Sequence, residues 1–123
     1  GRVILRQVVR MRHSRKSPQG FPVGREYRVF VLHGSVVSLG YYWEGDDVLA
    51  PLSAGEEEIV RHLATEAAKR LAVPFVAVDI GQVASGDWIV IETGDGQFSG
   101  LSQVPVIEHW HKLKQAMEGM AEM

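Results

Sequence analysis

The chain has 123 residues, 46% of them hydrophobic and 23% charged, with a net charge of −2. That length predicts one domain of ordinary globular composition. No apolar run approaches the roughly 18 residues of a membrane span, no signal-peptide pattern opens the chain, and the lack of cysteine excludes a disulfide framework and thiolate zinc sites and fits a cytoplasmic location.

Charge is unevenly spread. Residues 1–28 hold eight Arg and Lys (Arg2, Arg6, Arg10, Arg12, Arg15, Lys16, Arg25, Arg28) against Glu26 alone, a balance of +7 that leaves −9 for the rest. A basic segment facing an acidic body suits a polyanion such as a nucleoside triphosphate; the plainer reading is a solvated strand and loop. Residues 3–11, VILRQVVRM, read as a strand that begins without a lead-in. Residues 12–24 are rich in Gly, Pro and Ser and predict a long loop.

Residues 25–32 and 36–43 predict a hairpin around Gly34-Ser35. Tyr27, Val29 and Val31 alternate with Glu26, Arg28 and Phe30, so Glu26 and Arg28 share a face. They read either as an exposed ion pair of little value or as groups flanking an anionic ligand and its metal. Tyr41-Tyr42-Trp43 suits a core more often than a base-stacking platform. Residues 44–52 form a loop in which Asp46-Asp47 supply turn chemistry. Residues 53–72 are the clearest helix. Ser53 and Glu56 have capping-box spacing, acids open it and Lys69-Arg70 close it. Ile59, Val60, Leu63, Ala67 and Leu71 make the expected buried stripe, and Pro74 ends the element.

The stretch with most chemistry follows. Residues 75–80 and 87–93 read as two strands about Ser85-Gly86. A two-residue turn there places Asp79 directly opposite Glu92, on one face. Carboxylates about 4–5 Å apart repel by roughly 1 kcal/mol in water and by several when partly buried. Such a pair is kept where a cation fills the gap or one carboxyl holds a proton. Oxygen ligands on a hairpin suit Mg²⁺. Val76, Val78, Ile80, Ile89 and Ile91 form the opposite, core-facing side. The plainer reading is two acids on a wet sheet face, and a one-residue slip in register would separate them.

Residues 93–100, TGDGQFSG, let backbone approach a ligand closely. Residues 104–117 predict a second helix with Val106, Trp110, Leu113 and Met117 inward, followed by a frayed tail at 118–123. His109 and His111 are two apart and cannot share a ligand on a helix. No Ser/His/Asp arrangement, P-loop lysine motif or repeat is present.

Residues 25–43, REYRVFVLHGSVVSLGYYW, and 73–101, VPFVAVDIGQVASGDWIVIETGDGQFSGL, resemble the C-terminal half of an ATP-grasp domain of the peptide-ligase-like kind in bacterial and phage genomes. The resemblance covers essentially the whole chain. It implies an α+β fold: an antiparallel sheet of two hairpins plus a leading strand, packed on two helices. It implies Mg²⁺ on Asp79 and Glu92, bridging ATP phosphates. Its adenine-binding hinge strand is residues 5–9, with Gln7 where the family has an acid, and Val9 and Ile91 near adenine. Where many relatives have Glu-x-Asn, this chain has Glu92-Thr93-Gly94, so Asp95 or water would replace the Asn. Where many have an arginine two residues before the first acid, this chain has Ala77, and Arg28 would supply that charge, oriented by Glu26.

The implied activity is ATP-dependent ligation of a carboxylate to an amine through an acyl phosphate, on a small-molecule or peptide substrate. The N-terminal ATP-grasp subdomain, with its phosphate-binding lysines, is not in these residues. They are therefore expected to be part of a larger enzyme and inactive alone. A metal-dependent nuclease is the first rival, but it wants a lysine at position 94, where this chain has glycine. A non-catalytic nucleotide- or nucleic-acid-binding module using the basic segment is the second, with nucleic acid the less expected partner.

Overall fold

The computed structural model describes residues 9–97 and 99–121. In chain order the elements are β1 (His13–Lys16), β2 (Pro22–Gly24), β3 (Glu26–Leu32), β4 (Ser35–Tyr41), α1 (Ala54–Leu71), β5 (Phe75–Gln82), β6 (Trp88–Asp95) and α2 (Val106–Ala121). The fold is α+β. An antiparallel four-stranded sheet has the order β4-β3-β5-β6, and β1 and β2 form a separate two-stranded ribbon inside the expected loop. β3 and β5 are central and are buried on both faces where Phe30 and Ala77 back Val29 and Val78. Residues 3–8 of the expected leading strand, and the end of the tail at 122–123, lie outside the described residues. Just beyond residue 8, Met11 bridges Val83 and the Arg12 N–H donates to the Gln82 carbonyl, so the chain enters alongside the end of β5.

α1 covers one face of the sheet. Its N-terminus is closed as expected: Ser53 accepts from the Glu56 N–H, and the Glu56 carboxylate accepts from the Ser53 N–H. The same carboxylate pairs with Arg25, which is only 4% exposed. The helix ends at Ala72, whose left-handed φ of 55° lets its N–H bond back to Ala68. Against it lie Tyr27, Val29, Val31, Val76, Val78 and Ile80. Burial runs along Val60, Ala64 and Ala68, with Leu63 and Ala67 beside them, whereas Ile59 and Leu71 of the expected stripe are nearly half exposed. Two alanines at i, i+4 leave no bulk between helix and sheet, so this row packs closest.

The second face carries α2 at the β4 end. α2 runs past the expected stop at 117 and into the expected tail, with Lys114 and Glu118 paired along it. Its inward residues are His109 and Leu113, while Val106, Trp110 and Met117 are more than half exposed. The phase differs from the expected stripe because His109 is held from the sheet: its Nδ1 shares a hydrogen bond with the Ser38 hydroxyl, and its ring meets Phe30 edge-on at 4.7 Å. A bulge in β4 turns Val37 to this side, where it packs with Leu32 and Leu113. The β3–β4 turn is His33-Gly34, both at positive φ, one residue earlier than expected.

Candidate functional site

The β5–β6 register depends on two departures that cancel. The turn is not the two-residue Ser85-Gly86. Val83 N–H bonds to the Asp87 carbonyl, leaving a three-residue loop, Ala84-Ser85-Gly86, with Gly86 at φ 101°. That slips the pairing by one: Gln82 faces Trp88, Gly81 faces Ile89 and Ile80 faces Val90. A bulge between Ile80 and Asp79 then inserts Ile91 and restores the count, so Asp79 faces Glu92 as the sequence predicts. Two core assignments are corrected by this. Ile89, opposite Gly81, lies on the second face. So does Ile91, whose side chain spans the space a Cβ at Gly81 would need, beside the end of Met11.

On that face Glu26, Arg28, Asp79 and Glu92 come together. Arg28 lies opposite Asp79 across β3 and β5 and grips it with two bonds, Nε to Oδ1 at 2.9 Å and Nη2 to Oδ2 at 3.0 Å. Its remaining Nη1 donates to the Gly100 carbonyl at 2.9 Å, and the guanidinium lies 5.0 Å above the Tyr42 ring. Asp79 is 4% exposed, whereas Glu92 is open to solvent. The Glu26 carboxyl is pushed up to about 7, first by burial and then by the Asp79 and Glu92 carboxylates. The site therefore has more negative charge than Arg28 alone balances.

The loop after β6 roofs one side. Phe98, within the expected glycine-rich loop, lies outside the described residues. Gln103 N–H bonds to the Tyr41 carbonyl, and the backbone of Val104 crosses directly over Gly40. Ala77, where relatives are expected to carry arginine, is sealed with Phe30 and Val104, a place with no room for a long cation. Arg28 supplies a cation to Asp79 from the neighbouring strand instead.

The other expected residues are not brought to this cluster. Asp95 stands opposite Val76, on the α1 side of the register, and its carboxylate accepts from the Gln97 N–H. Val9 is 43% exposed, and Gln7 is outside the described residues. Among the described residues no group of three or more His, Cys, Asp or Glu encloses a metal site. The donor chemistry still fits a hard divalent cation, since Mg²⁺ takes one or two carboxylates and completes its shell with waters and phosphates. The basic segment is partly consumed within the fold: Arg12 bonds Gln82, Arg15 bonds Asp47, and Arg25 bonds Glu56, Gln82 and two backbone carbonyls.

Sequence reasoning missed Tyr42 as the ring beneath Arg28, Gly40 as the point where the loop crosses, and the Ser38–His109 clasp. A glycine between Leu39 and Tyr41 was the available signal for a close crossing. Among the described residues no helix is long and apolar enough to cross a membrane.

The family model for the ATP-grasp domain, R2K clade family 3, matches residues 1–115. The chain belongs to that family. One solved structure similar to this ATP-grasp chain is described as the ATP-grasp ligase PsnB complexed with minimal precursor, Mg and ADP. The two share 21% identity over 76% of this chain, with a TM-score of 0.49, and this chain spans 32% of that one. No curated protein matches.

Proposed function

We propose that this chain supplies one wall of the Mg-ATP site of an ATP-dependent carboxylate–amine ligase. The observation that supports it most is the Asp79–Glu92 opposition, with Glu26 and Arg28 on the same face and excess negative charge among them. Asp79 and Glu92 are the residues that would hold Mg²⁺, which when bound offsets charge on the transferring phosphoryl group. Asp95 is left out of this set because it stands on the other side of the register; water or substrate would take its place.

Arg28 has two tasks. At rest its fork neutralises Asp79. With substrates present, its guanidinium is the group that would steady the phosphoryl oxygens as a carboxylate attacks the γ-phosphorus and ADP leaves. An amine then displaces phosphate from the acyl phosphate, giving an amide. Glu26, partly buried and held near neutrality, would orient Arg28 or a water. Ile91, on the second face, lies with Met11 at the Gly81 end, where adenine would sit.

The test is Mg²⁺-dependent ATP binding and turnover by the whole protein. Glu92→Gln, at an exposed position, should abolish turnover and weaken Mg·ATP binding about tenfold or more with the fold unchanged. Wild-type binding and turnover in that variant would overturn the reading.

A further inference from the structure

Between the β1–β2 ribbon and the end of β4 lies a cavity of about 390 Å³. Its floor is Val23, 7% exposed, and its walls include Tyr42 and Trp43, whose rings meet edge-on at 5.0 Å. Charge at the rim is of both signs. Arg15 is already committed, with Nε on Asp47 and Nη2 on the Glu44 carbonyl. Lys16 and Glu44 have no ion-pair partner among the described residues, and both residues line the cavity. Tyr42 lines the cavity, and its ring also carries Arg28.

This combination selects its ligand. An apolar floor with aromatic walls takes a hydrophobic body. A free ammonium and a free carboxylate at the rim match a molecule bearing both charges. An ammonium beside aromatic rings gains further attraction. A polyanion is disfavoured, since Glu44 lines the same cavity as Lys16 and the Arg15 guanidinium is already committed to Asp47. The volume also suits one residue-sized group and not a nucleic-acid strand.

We propose that this cavity binds a zwitterionic amino acid with an apolar side chain, its carboxylate on Lys16 and its ammonium on Glu44 and the Tyr42–Trp43 rings. This rests on the ligase reading and deepens it, because such a molecule offers an amine one ring away from Arg28. The side chain rests on Val23, and the ligand's arrival presses on the ring that supports the guanidinium.

The probe is L-leucine, titrated into the protein while the Trp43 indole N–H is followed by NMR. The expected result is a saturable shift. N-acetyl-leucine and leucinamide, each lacking one charge, should bind about tenfold more weakly. Lys16→Glu and Glu44→Lys should each weaken L-leucine by a similar factor, and the double exchange should restore part of it with the ligand reversed. Mg·ATP binding, measured on the same samples, should be unchanged in all three variants.

Absence of a Trp43 shift at saturating L-leucine, or equal binding of the three ligands, would overturn the cavity proposal. So would tighter binding of a single-stranded oligonucleotide that displaces L-leucine with a steep salt dependence. If L-leucine binds as described but Mg·ATP does not bind the whole wild-type protein, the ligase reading fails and the cavity assignment stands. If Mg·ATP binds and L-leucine does not, only the cavity assignment fails.

Discussion

The two faces of the sheet are made by the same strands and solve different problems. The α1 face is apolar from Tyr27, Val29 and Val31 across to Val76, Val78 and Ile80, and Val60, Ala64 and Ala68 close on it. Each large side chain buried there is worth about 1.5–3 kcal/mol. The second face is apolar where α2 and Val104 cover Phe30 and Ala77 and again where Ile91 and Met11 meet at Gly81, and it is charged between them. Its Arg28–Asp79 pair does little for net stability, because desolvating two charges costs about what their attraction returns. The alternation that makes the first face a core therefore leaves the second available for chemistry, and two bulges, two close-approach glycines and one ion pair make it fit.

If that contrast is right, substitutions on the α1 face should change stability alone. Ile80→Ala leaves a cavity at a fully buried position and should cost about 2–5 kcal/mol. The denaturation midpoint should fall by an amount independent of pH and of Mg²⁺. Asp79→Asn is the matching test opposite. It leaves Arg28 without its carboxylate at a site where the two side chains are 15% and 6% exposed, and should cost on the order of 3 kcal/mol. That loss, unlike the first, should come with loss of Mg²⁺-dependent nucleotide binding. Equal dependence on Mg²⁺ for both variants would erase the distinction between the faces.

How much of this could be read from the residues follows the same division. The α1 face, the capping box and the hairpin order were legible because they rest on period-2 alternation and cap chemistry, which are local. The Asp79–Glu92 opposition was legible through an assumed Ser85-Gly86 turn, but it holds because the extra turn residue and the Ile91 bulge offset each other. Nothing local announces such a bulge, so Ile89 and Ile91 fall on the wrong side in a pure alternation. The α2 phase was misread for a related reason. Hydrophobicity favours Trp110 and Met117, but a tertiary hydrogen bond to Ser38 selects His109. Ser14, Arg15 and Tyr41 converging on Asp47 likewise depends on contacts 6 to 33 residues apart, beyond any local pattern.

Backbone approach at Gly40 and titration of Glu26 give intermediate effects, both on the second face. A Cβ at Gly40 would sit 2.5 Å from the Val104 backbone nitrogen. Gly40→Val should therefore cost about 1–3 kcal/mol and raise hydrogen exchange at Gln103, whose N–H bonds to Tyr41. Glu26 sets a pH dependence. Its carboxyl stands at about 7 against an ordinary 4.5, so between those values the folded state holds a proton that the unfolded chain has lost. Stability from this group is full below about pH 4.5 and falls as pH rises to about 7. Glu26→Gln should flatten that limb and raise stability above pH 7 by about 1–2 kcal/mol, discounted for water at a partly exposed carboxyl. Asp47 and Glu56, each lowered to about 2, act in the opposite sense. For Asp47 burial pushes upward but bonds from Ser14, the Leu49 N–H, Tyr41 and Arg15 outweigh it; for Glu56 the Arg25 bond leads. Their stabilisation is present above the ordinary carboxylate range and is lost as pH falls toward 2, so the acid limb should survive in Glu26→Gln.

The smallest effect concerns how α2 is attached. Ser38 and His109 are 5% and 2% exposed, and their hydrogen bond joins β4 to the helix. Ser38→Ala removes the hydroxyl and leaves Nδ1 of a buried ring without it, a loss of about 1 kcal/mol. Burial already holds the His109 pKa below its usual value, so the folded state resists taking a proton that the unfolded chain accepts below about pH 6.5. Stability tied to a neutral His109 is therefore present above that pH and declines as acid is added. Comparing Ser38→Ala with wild type between pH 5 and 8, by chemical denaturation, separates a hydrogen-bonded clasp from plain apolar docking. With a clasp, the variant loses about 1 kcal/mol at neutral pH and exchange rises along α2. If α2 were held by Leu113 and Val37 alone, the variant would match wild type across the range, and the second face would owe its order to packing just as the first does.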